Sequence, residues 1–280
     1  MVARHHSSGA VQRTTSGSIS PVAEAFDRIA DSFDSNLENE TTARLREKLY
    51  LIVESLVRPG SIVLDINCGT GIDALHLAHM GYRIWGADIS RNMVAAAKRK
   101  LKKSELRNAE FIVSSFDHLS PEEVPMADLT FSNFGGLNCT SDLVSAASAI
   151  AAVTRPGGYF VGVLMPPFSL WESFSYALHG QWRLTLRRAG QLAQATGFGE
   201  NGFPVHYYSP HTTAAAFSEY FDHKKTIGWS IVSPTPQSRR FVQRHPVIAK
   251  MLVRIDGFIE EFPLFRSIGD HYVTVFQRKQ

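Results

Sequence analysis

The stretch LDINCGTG, residues 64–71, lies between the apolar run SIV and the helix-like run IDALHLA. An acid, Asp65, stands at the end of an apolar strand, and the closely spaced Gly69 and Gly71 precede a helix. Glycine permits a sharp turn and lets a ligand approach backbone that carries no Cβ atom. We therefore predict that this strand–turn–helix unit holds a ligand.

The same rhythm of strand and helix continues downstream for about a hundred residues. Strict alternation indicates a parallel sheet covered by helices, and right-handed crossovers bring the carboxyl ends of the strands to one edge. Ligands of such sheets bind at that edge. The predicted strands are 61–66, 82–88, 109–115, 126–134 and 159–165, and the predicted helices are 21–33, 40–57, 71–80, 91–103 and 141–153.

The alternation breaks after residue 166. Residues 167–209 begin as a helical, aromatic segment and end as a Gly-rich loop, which is long for a connection inside a compact domain. A helix over 210–221, a strand over 223–232, helical residues 238–262 and a closing strand over 271–277 follow. We predict a disordered tail over 1–20 and a single domain over 21–280, with helical cap insertions at 167–209 and 238–262.

Composition narrows the class of protein. A chain of 280 residues with 44% hydrophobic residues can bury one large α/β core, and a net charge of +3 argues against a nucleic-acid partner. An apolar run of about 18 residues is absent from the sequence, so we expect no membrane span. Cys68 and Cys139 form no CxxC pair, so we expect no metal site and a reduced, cytoplasmic setting.

The second predicted strand ends in an acid, Asp88, seventeen residues beyond Gly71. A carboxylate at this position can accept hydrogen bonds from both hydroxyls of a ribose. The string from Gly69 to Ala74 formally fits the dinucleotide fingerprint, which leaves a nicotinamide-dependent oxidoreductase as an alternative. Asp65 and Asp73, however, would place negative charge where a pyrophosphate should lie. A ligand site with these two carboxylates suits a ligand that carries an ammonium and a sulfonium, as S-adenosylmethionine does.

The segment resembles the first motif of the class I S-adenosylmethionine-dependent methyltransferases, an acid followed by G-x-G-x-G. FSNFGGLNC (131–139) resembles the strand-four motif of that family, TRPGGYFV (154–161) its turn into strand five, and AFDRIADSFD (25–34) its closing N-terminal helix. The resemblance is to the small-molecule (type 11/25-like) group and covers about residues 22–165 and the last strands.

This resemblance implies a doubly wound, mostly parallel α/β sheet of seven strands with an antiparallel last strand, plus a helical cap. It also implies S-adenosyl-L-methionine as the cofactor. The residues expected to bind it are Phe33, Asp65, Asn67, Gly69, Gly71, Asp88, Ile89, Met93, Ser115, Phe116 and Asn133.

Three positions depart from the family pattern or have two interpretations. Asn67 replaces the first motif glycine, where asparagine can adopt left-handed geometry. Ser115 replaces the acid that meets the adenine, with Asp117 as an alternative acceptor. Met93 either packs on the adenine or belongs to the core. A protein that binds the cofactor without turnover therefore remains an alternative.

Methyl transfer is an in-line displacement that requires alignment, exclusion of water and, for some nucleophiles, a base. His206 is the first candidate base because histidine titrates near neutrality, and Tyr207 and His271 follow. An aromatic stripe over 171–186 favours a small, apolar or aromatic acceptor, with Trp171, Phe174 and Tyr208 in its pocket. Peripheral membrane contact through this cap is a further hypothesis. We expect a monomer or a homodimer.

Overall fold

The computed structural model describes residues 20–190, 192–194 and 202–280. The predicted tail lies outside the described residues except for Ser20, and so do residues 191 and 195–201 of the predicted cap.

A mixed sheet of seven strands forms the centre of the molecule, in the order β3-β2-β1-β4-β5-β9-β8. Neighbouring strands among β1 to β5 run parallel, whereas β9 is antiparallel to both β5 and β8. The predicted fold is thereby confirmed. The strands of this sheet are β1 Ile62–Asp65, β2 Arg83–Asp88, β3 Ala109–Val113, β4 Ala127–Ser132, β5 Thr154–Leu164, β8 Phe221–Trp229 and β9 His271–Arg278.

Helices cover both faces of this sheet because successive strand residues point to opposite sides. Val63 packs in the layer that contains α3, α4 and α5, and Leu64 in the layer that contains α6 and α8. The helices are α1 Pro21–Ile29, α2 Phe33–Leu37, α3 Glu40–Leu56, α4 Ile72–His79, α5 Arg91–Ser104, α6 Leu143–Val153, α7 Leu170–Leu178, α8 Pro210–Phe217, α9 Arg239–Arg244 and α10 Pro246–Ile259.

The structure differs from the sequence prediction mainly after β5. The segment predicted as a Gly-rich loop contains a two-stranded antiparallel pair, β6 Leu192–Gln194 and β7 Pro204–His206. The helical stretch predicted over 238–262 is two helices, because Pro246 disfavours helical geometry at the preceding His245 and cannot continue a hydrogen-bond ladder.

Candidate active site

A solvent-open cavity of about 260 Å³ lies at the carboxyl edge of the sheet. Each of the first four strands ends at its wall, and the N-terminal helices α1 and α2 close over it. The predicted edge of the sheet therefore carries a cavity. The predicted cofactor residues that line it are Phe33, Asn67, Gly69, Asp88, Ile89, Ser115, Phe116 and Asn133.

Asp88 at the end of β2 is held by two backbone amides. Its Oδ2 accepts from the Gly69 N–H and its Oδ1 from the Ser90 N–H, both at 2.9 Å. Desolvation raises the pKa of Asp88 to about 6, and the nearby carboxylate of Asp27 adds to the shift. Each carboxylate oxygen keeps a lone pair after these bonds, so the fixed side chain can accept from two further hydroxyls.

The two glycines of the first turn have different surroundings. Both have positive φ, 52° at Gly69 and 79° at Gly71, so both positions favour glycine. A Cβ atom on Gly69 would meet only the Phe33 ring, at 3.6 Å, on the cavity side. A Cβ atom on Gly71 would lie 2.9 Å from Ala97 and 3.0 Å from Phe111. Gly71 therefore allows α4 to pack closely and does not line the cavity.

Asp65 also lies behind the cavity wall, although the sequence places it among the cofactor residues. Its side chain is buried at the end of β1 and accepts from the Asn67 N–H at 3.3 Å. Desolvation, with the nearby Asp73 carboxylate, raises its pKa well above the ordinary value. Asp65 therefore stabilises the turn and does not line the cavity.

The expected left-handed geometry at Asn67 is wrong, because the positive-φ positions of this turn are the two glycines. Asn67 instead ties strand ends together: its Oδ1 accepts from the Ser132 hydroxyl of β4 at 2.6 Å. Gly136 leaves room for it, since a Cβ there would lie 2.4 Å from the amide group of Asn67.

Arg46 of α3 is a cavity residue that the sequence analysis missed. Its guanidinium lies 2.5 Å from a carboxylate oxygen of Asp73, and Tyr50 and Asn133 also donate to that carboxylate. Burial alone would lower the pKa of Arg46, but Asp73 outweighs it and raises the pKa. The negative charge that the sequence analysis placed at Asp73 is therefore balanced by Arg46. The sequence does carry a signal for Arg46, because this arginine stands at a helix position that otherwise faces the core.

Phe134 is a second residue that the sequence analysis did not single out. Its φ is +45°, and Gly135 follows at +77°, so the chain turns through two left-handed residues one residue after the end of β4. A bulky residue in this region costs about 1–3 kcal/mol and is characteristic of functional sites. The Phe134 ring lies 5.0 Å from the guanidinium of Arg46 and 6.0 Å from the ring of His271.

The wall beyond Asp88 is formed by Ile89 and by residues 115–117, so Asp117 is available beside Ser115. Met93 lies behind this wall and is 1% exposed. It is a core residue of α5, and its backbone N–H donates to the capping Ser90 hydroxyl at 3.1 Å.

The predicted acceptor residues do not line this cavity. Trp171 donates from its indole N–H to the Ser238 hydroxyl at 2.8 Å and so joins α7 to the segment before α9, while Phe174 is largely exposed. Tyr208 lies one residue behind the wall, since its hydroxyl donates to the carbonyl of Thr140, a lining residue, at 2.6 Å.

The three candidate bases also lie outside the lining. His206 stacks against Tyr208, and Tyr207 is buried beneath the guanidinium of Arg188 at 5.3 Å. The Nδ1 atom of His271 is 3.0 Å from a carboxylate oxygen of Asp270. Histidine and tyrosine are absent from the lining in the described part of the chain.

Comparison with known proteins agrees with this site. Residues 63–158 match the family model of the methyltransferase domain. The chain is 28% identical over 208 residues to malonyl-[acyl-carrier protein] O-methyltransferase of Yersinia pestis, covering 71% of this chain and 68% of that protein. It is 31% identical over 146 residues to demethylmenaquinone methyltransferase of Bacillus mycoides, covering 49% of this chain and 59% of that protein.

Solved structures show the same fold at low sequence identity. The CcbJ methyltransferase from Streptomyces caelestis superposes with a TM-score of 0.60 at 16% identity, over 92% of this chain and 99% of that one. A SAM-dependent methyltransferase from Methanosarcina mazei gives 0.54 at 18% identity, over 81% and 97%.

Residues 63–158 are a methyltransferase domain, and the relatives and the fold support a class I, Rossmann-like S-adenosylmethionine-dependent methyltransferase. The protein is therefore an enzyme, and the nicotinamide-dependent and non-catalytic alternatives are set aside. The matched domain extends from β1 into β5. The family and fold imply S-adenosylmethionine as the methyl donor.

Proposed function

We propose that this enzyme methylates a small, apolar or aromatic acceptor whose reacting atom is anionic or readily ionised in water. The observation that carries the proposal is the convergence of Asp88, Gly69 and Arg46 on one cavity whose other walls are largely apolar. S-adenosylmethionine, when bound, supplies a methyl group activated by its sulfonium. The protein has to hold the two reactants in line and exclude water.

The lining residues fit this cofactor. Asp88 keeps two free lone pairs for the ribose hydroxyls. Gly69 has no Cβ atom, so the cofactor can approach its backbone from the cavity. The guanidinium of Arg46, held by Asp73 and Glu38, has further N–H groups that can donate to the methionyl carboxylate. These residues bind and orient, and the proposal assigns them no proton transfer.

The acceptor side is proposed to lie beneath α1 and beside Phe134. Phe26 of α1 lies in the cavity wall, and its ring centroid is 5.4 Å from that of Phe203, next to β7. Val205 and Tyr207 pack with Ala25 in the same cluster. We propose that the described parts of 167–209, with 238–262, act as the cap that shapes the acceptor space through α1.

An ionised acceptor is supported by the lack of a histidine or tyrosine side chain in the described lining. Burial raises the pKa of the Cys139 thiol to about 12, so this lining residue is a poor base near neutral pH. The hypothesis of a base at His206 requires a proton relay, because its ring lies behind the wall. An acceptor that reaches the site without its proton needs neither. The names of two relatives, which act on malonyl-[acyl-carrier protein] and on demethylmenaquinone, guide the choice of acceptors.

The test incubates the enzyme with S-adenosylmethionine bearing a deuterated methyl group and with cell extract or a panel of carboxylates, phenols and amines. We expect mass spectrometry to find one labelled methyl group on a carboxylate or phenolic acceptor. Asp88→Asn, which keeps the shape of the side chain, should bind the donor more weakly and slow the transfer. Labelling confined to amines, or to macromolecules, would contradict the proposed acceptor class.

His206→Ala and His271→Ala distinguish an acceptor that arrives ionised from one that is deprotonated by a general base. An ionised acceptor predicts little change in the single-turnover rate for either variant. A general base predicts a loss of roughly 10²–10⁴ for one of them. Such a loss would replace the ionised acceptor by the His206 or the His271 hypothesis.

A further inference from the structure

An exposed apolar stripe runs along α10. Residues four or three apart share one face of a helix, and Val247, Met251, Ile255 and Phe258 follow this spacing. Val247 is 79% exposed and Phe258 is 80% exposed. Just past the helix, Phe262 is also exposed. The helix is therefore amphipathic with its large apolar side chains toward solvent.

The opposite face of α10 is anchored to the protein. Ala249 is buried, and the buried Asp256 carboxylate accepts from the backbone amides of Ile231, Val232 and Ser233. These bonds fix the rotation of the helix about its axis. The stripe faces outward because its other side is already committed to the fold.

Positive charge borders the stripe. Lys250 and Arg254 are exposed on α10, while its one carboxylate, Asp256, is buried. The next two acids are in ion pairs, Glu260 with Lys48 and Glu261 with Lys225. The preceding helix adds three more cations, Arg239, Arg240 and Arg244.

A groove beside α10 extends this basic character. Arg44 of α3 lines it together with Lys250 and Arg254, opposite the carboxylates of Glu40 and Glu47. The buried Nε atom of Arg44 has no hydrogen-bond partner in the described part of the chain. The cations outnumber the acids in this groove, which suits an anionic headgroup.

We propose that the α9–α10 face docks on the surface of a bilayer that contains anionic lipids, with α10 parallel to the membrane plane. Helices with bulky apolar side chains on one face and Lys or Arg at its border bind in this way. A helix of 14 residues is about 21 Å long and too short to cross a bilayer. None of the helices in the described ranges is long and apolar enough to span one.

Docking there would bring the membrane close to the cofactor cavity. Arg239 of α9 donates to the backbone carbonyls of Asn36 and Glu38, which flank Leu37 in the cavity wall. The Trp171 ring of α7 also packs on Phe241 of α9, with centroids 5.0 Å apart. The proposed surface is thus continuous with the cap.

The experiment measures cosedimentation of the full chain with vesicles of phosphatidylcholine alone and with vesicles that also contain phosphatidylglycerol. We expect at least tenfold stronger partitioning to the anionic vesicles, weakened by high salt. Lys250→Glu and Arg254→Glu should each lower it by about fivefold or more. The double variant Met251→Glu, Phe258→Glu should lower it at least tenfold.

Val144→Glu is the matched control, because Val144 is a 56% exposed residue on α6, in the helix layer opposite α3. This variant should bind vesicles like the wild type, and circular dichroism should show all variants folded. The proposal is overturned if the wild type fails to sediment with anionic vesicles. It is also overturned if the stripe variants dissociate a dimer in light scattering, or abolish binding to an acidic carrier protein, without changing vesicle binding. The readout is binding, so it is independent of the proposed acceptor.

Discussion

The two glycines of the first turn should separate cofactor binding from folding. Gly69 and Gly71 are two residues apart and both have positive φ, yet only Gly69 lines the cavity. Replacing each by alanine adds the same single methyl group to two different environments. We expect Gly69→Ala to lose affinity for S-adenosylmethionine and Gly71→Ala to lose stability.

The magnitudes follow from what each new Cβ atom would meet. Left-handed backbone costs a residue with a Cβ atom about 1–2 kcal/mol, and this cost applies at both positions. At Gly71 the contacts of 2.9 Å with Ala97 and 3.0 Å with Phe111 add overpacking of about 1–3 kcal/mol. Gly71→Ala should therefore lower the free energy of unfolding by about 2–5 kcal/mol. Gly69→Ala should lower it by about 1–2 kcal/mol, because the Phe33 ring stays at an ordinary contact distance.

Gly60→Ala isolates the cost of the backbone conformation. Gly60 has φ +92°, and a Cβ atom there would meet nothing within 4 Å. The change in unfolding free energy for Gly60→Ala should match that for Gly69→Ala. Affinity should differ between these variants, with at least tenfold weaker cofactor binding for Gly69→Ala alone.

Urea unfolding without cofactor and isothermal titration with S-adenosylmethionine measure the two effects. If Gly71→Ala unfolds at the wild-type urea concentration, the close packing at Ala97 and Phe111 does not limit the turn. If Gly69→Ala binds the cofactor within twofold of the wild type, the donor does not contact this turn and the assignment of the cavity is wrong.

Three further predictions concern other contacts of the cavity. The pKa of Asp88 is raised to about 6 and binding favours its carboxylate, so affinity for the donor should fall as the pH drops through about 6. Calorimetry of Asp88→Asn should show a flatter dependence of affinity on pH, and an unchanged dependence would implicate another group. Asp27→Ala removes the carboxylate that joins α1 to the Ser90 hydroxyl at 2.6 Å, so stopped-flow should show faster release of S-adenosylmethionine. An unchanged release rate would mean that α1 does not retain the cofactor. Arg46→Met should lower the free energy of unfolding by about 3–5 kcal/mol, because it leaves Asp73 buried without its cation. In urea unfolding, the double variant with Asp73→Asn should recover most of the lost free energy. No recovery would show that Arg46 acts through packing.

The sequence by itself determined the sheet and its ligand edge. Apolar runs, helical spacing and turn glycines are local signals, and the parallel order of β1 to β5 follows from alternation and the handedness of crossovers. Asp88 could be assigned in this way because it ends a strand whose neighbour carries the glycine turn. The resemblance of four separate segments to one family extended these signals to the cofactor and to the antiparallel last strand.

Only the tertiary structure decided which of these residues meet. Asp65, Gly71 and Met93 satisfy the sequence pattern but lie behind the wall, because strand pleating and close packing turn them toward the core. Arg46 and Phe134 enter the cavity from elements far apart in the chain, and their contact depends on how α3 packs against the end of β4. Such contacts leave no periodic trace in the sequence, since they are set by long-range packing rather than by the order of neighbouring residues.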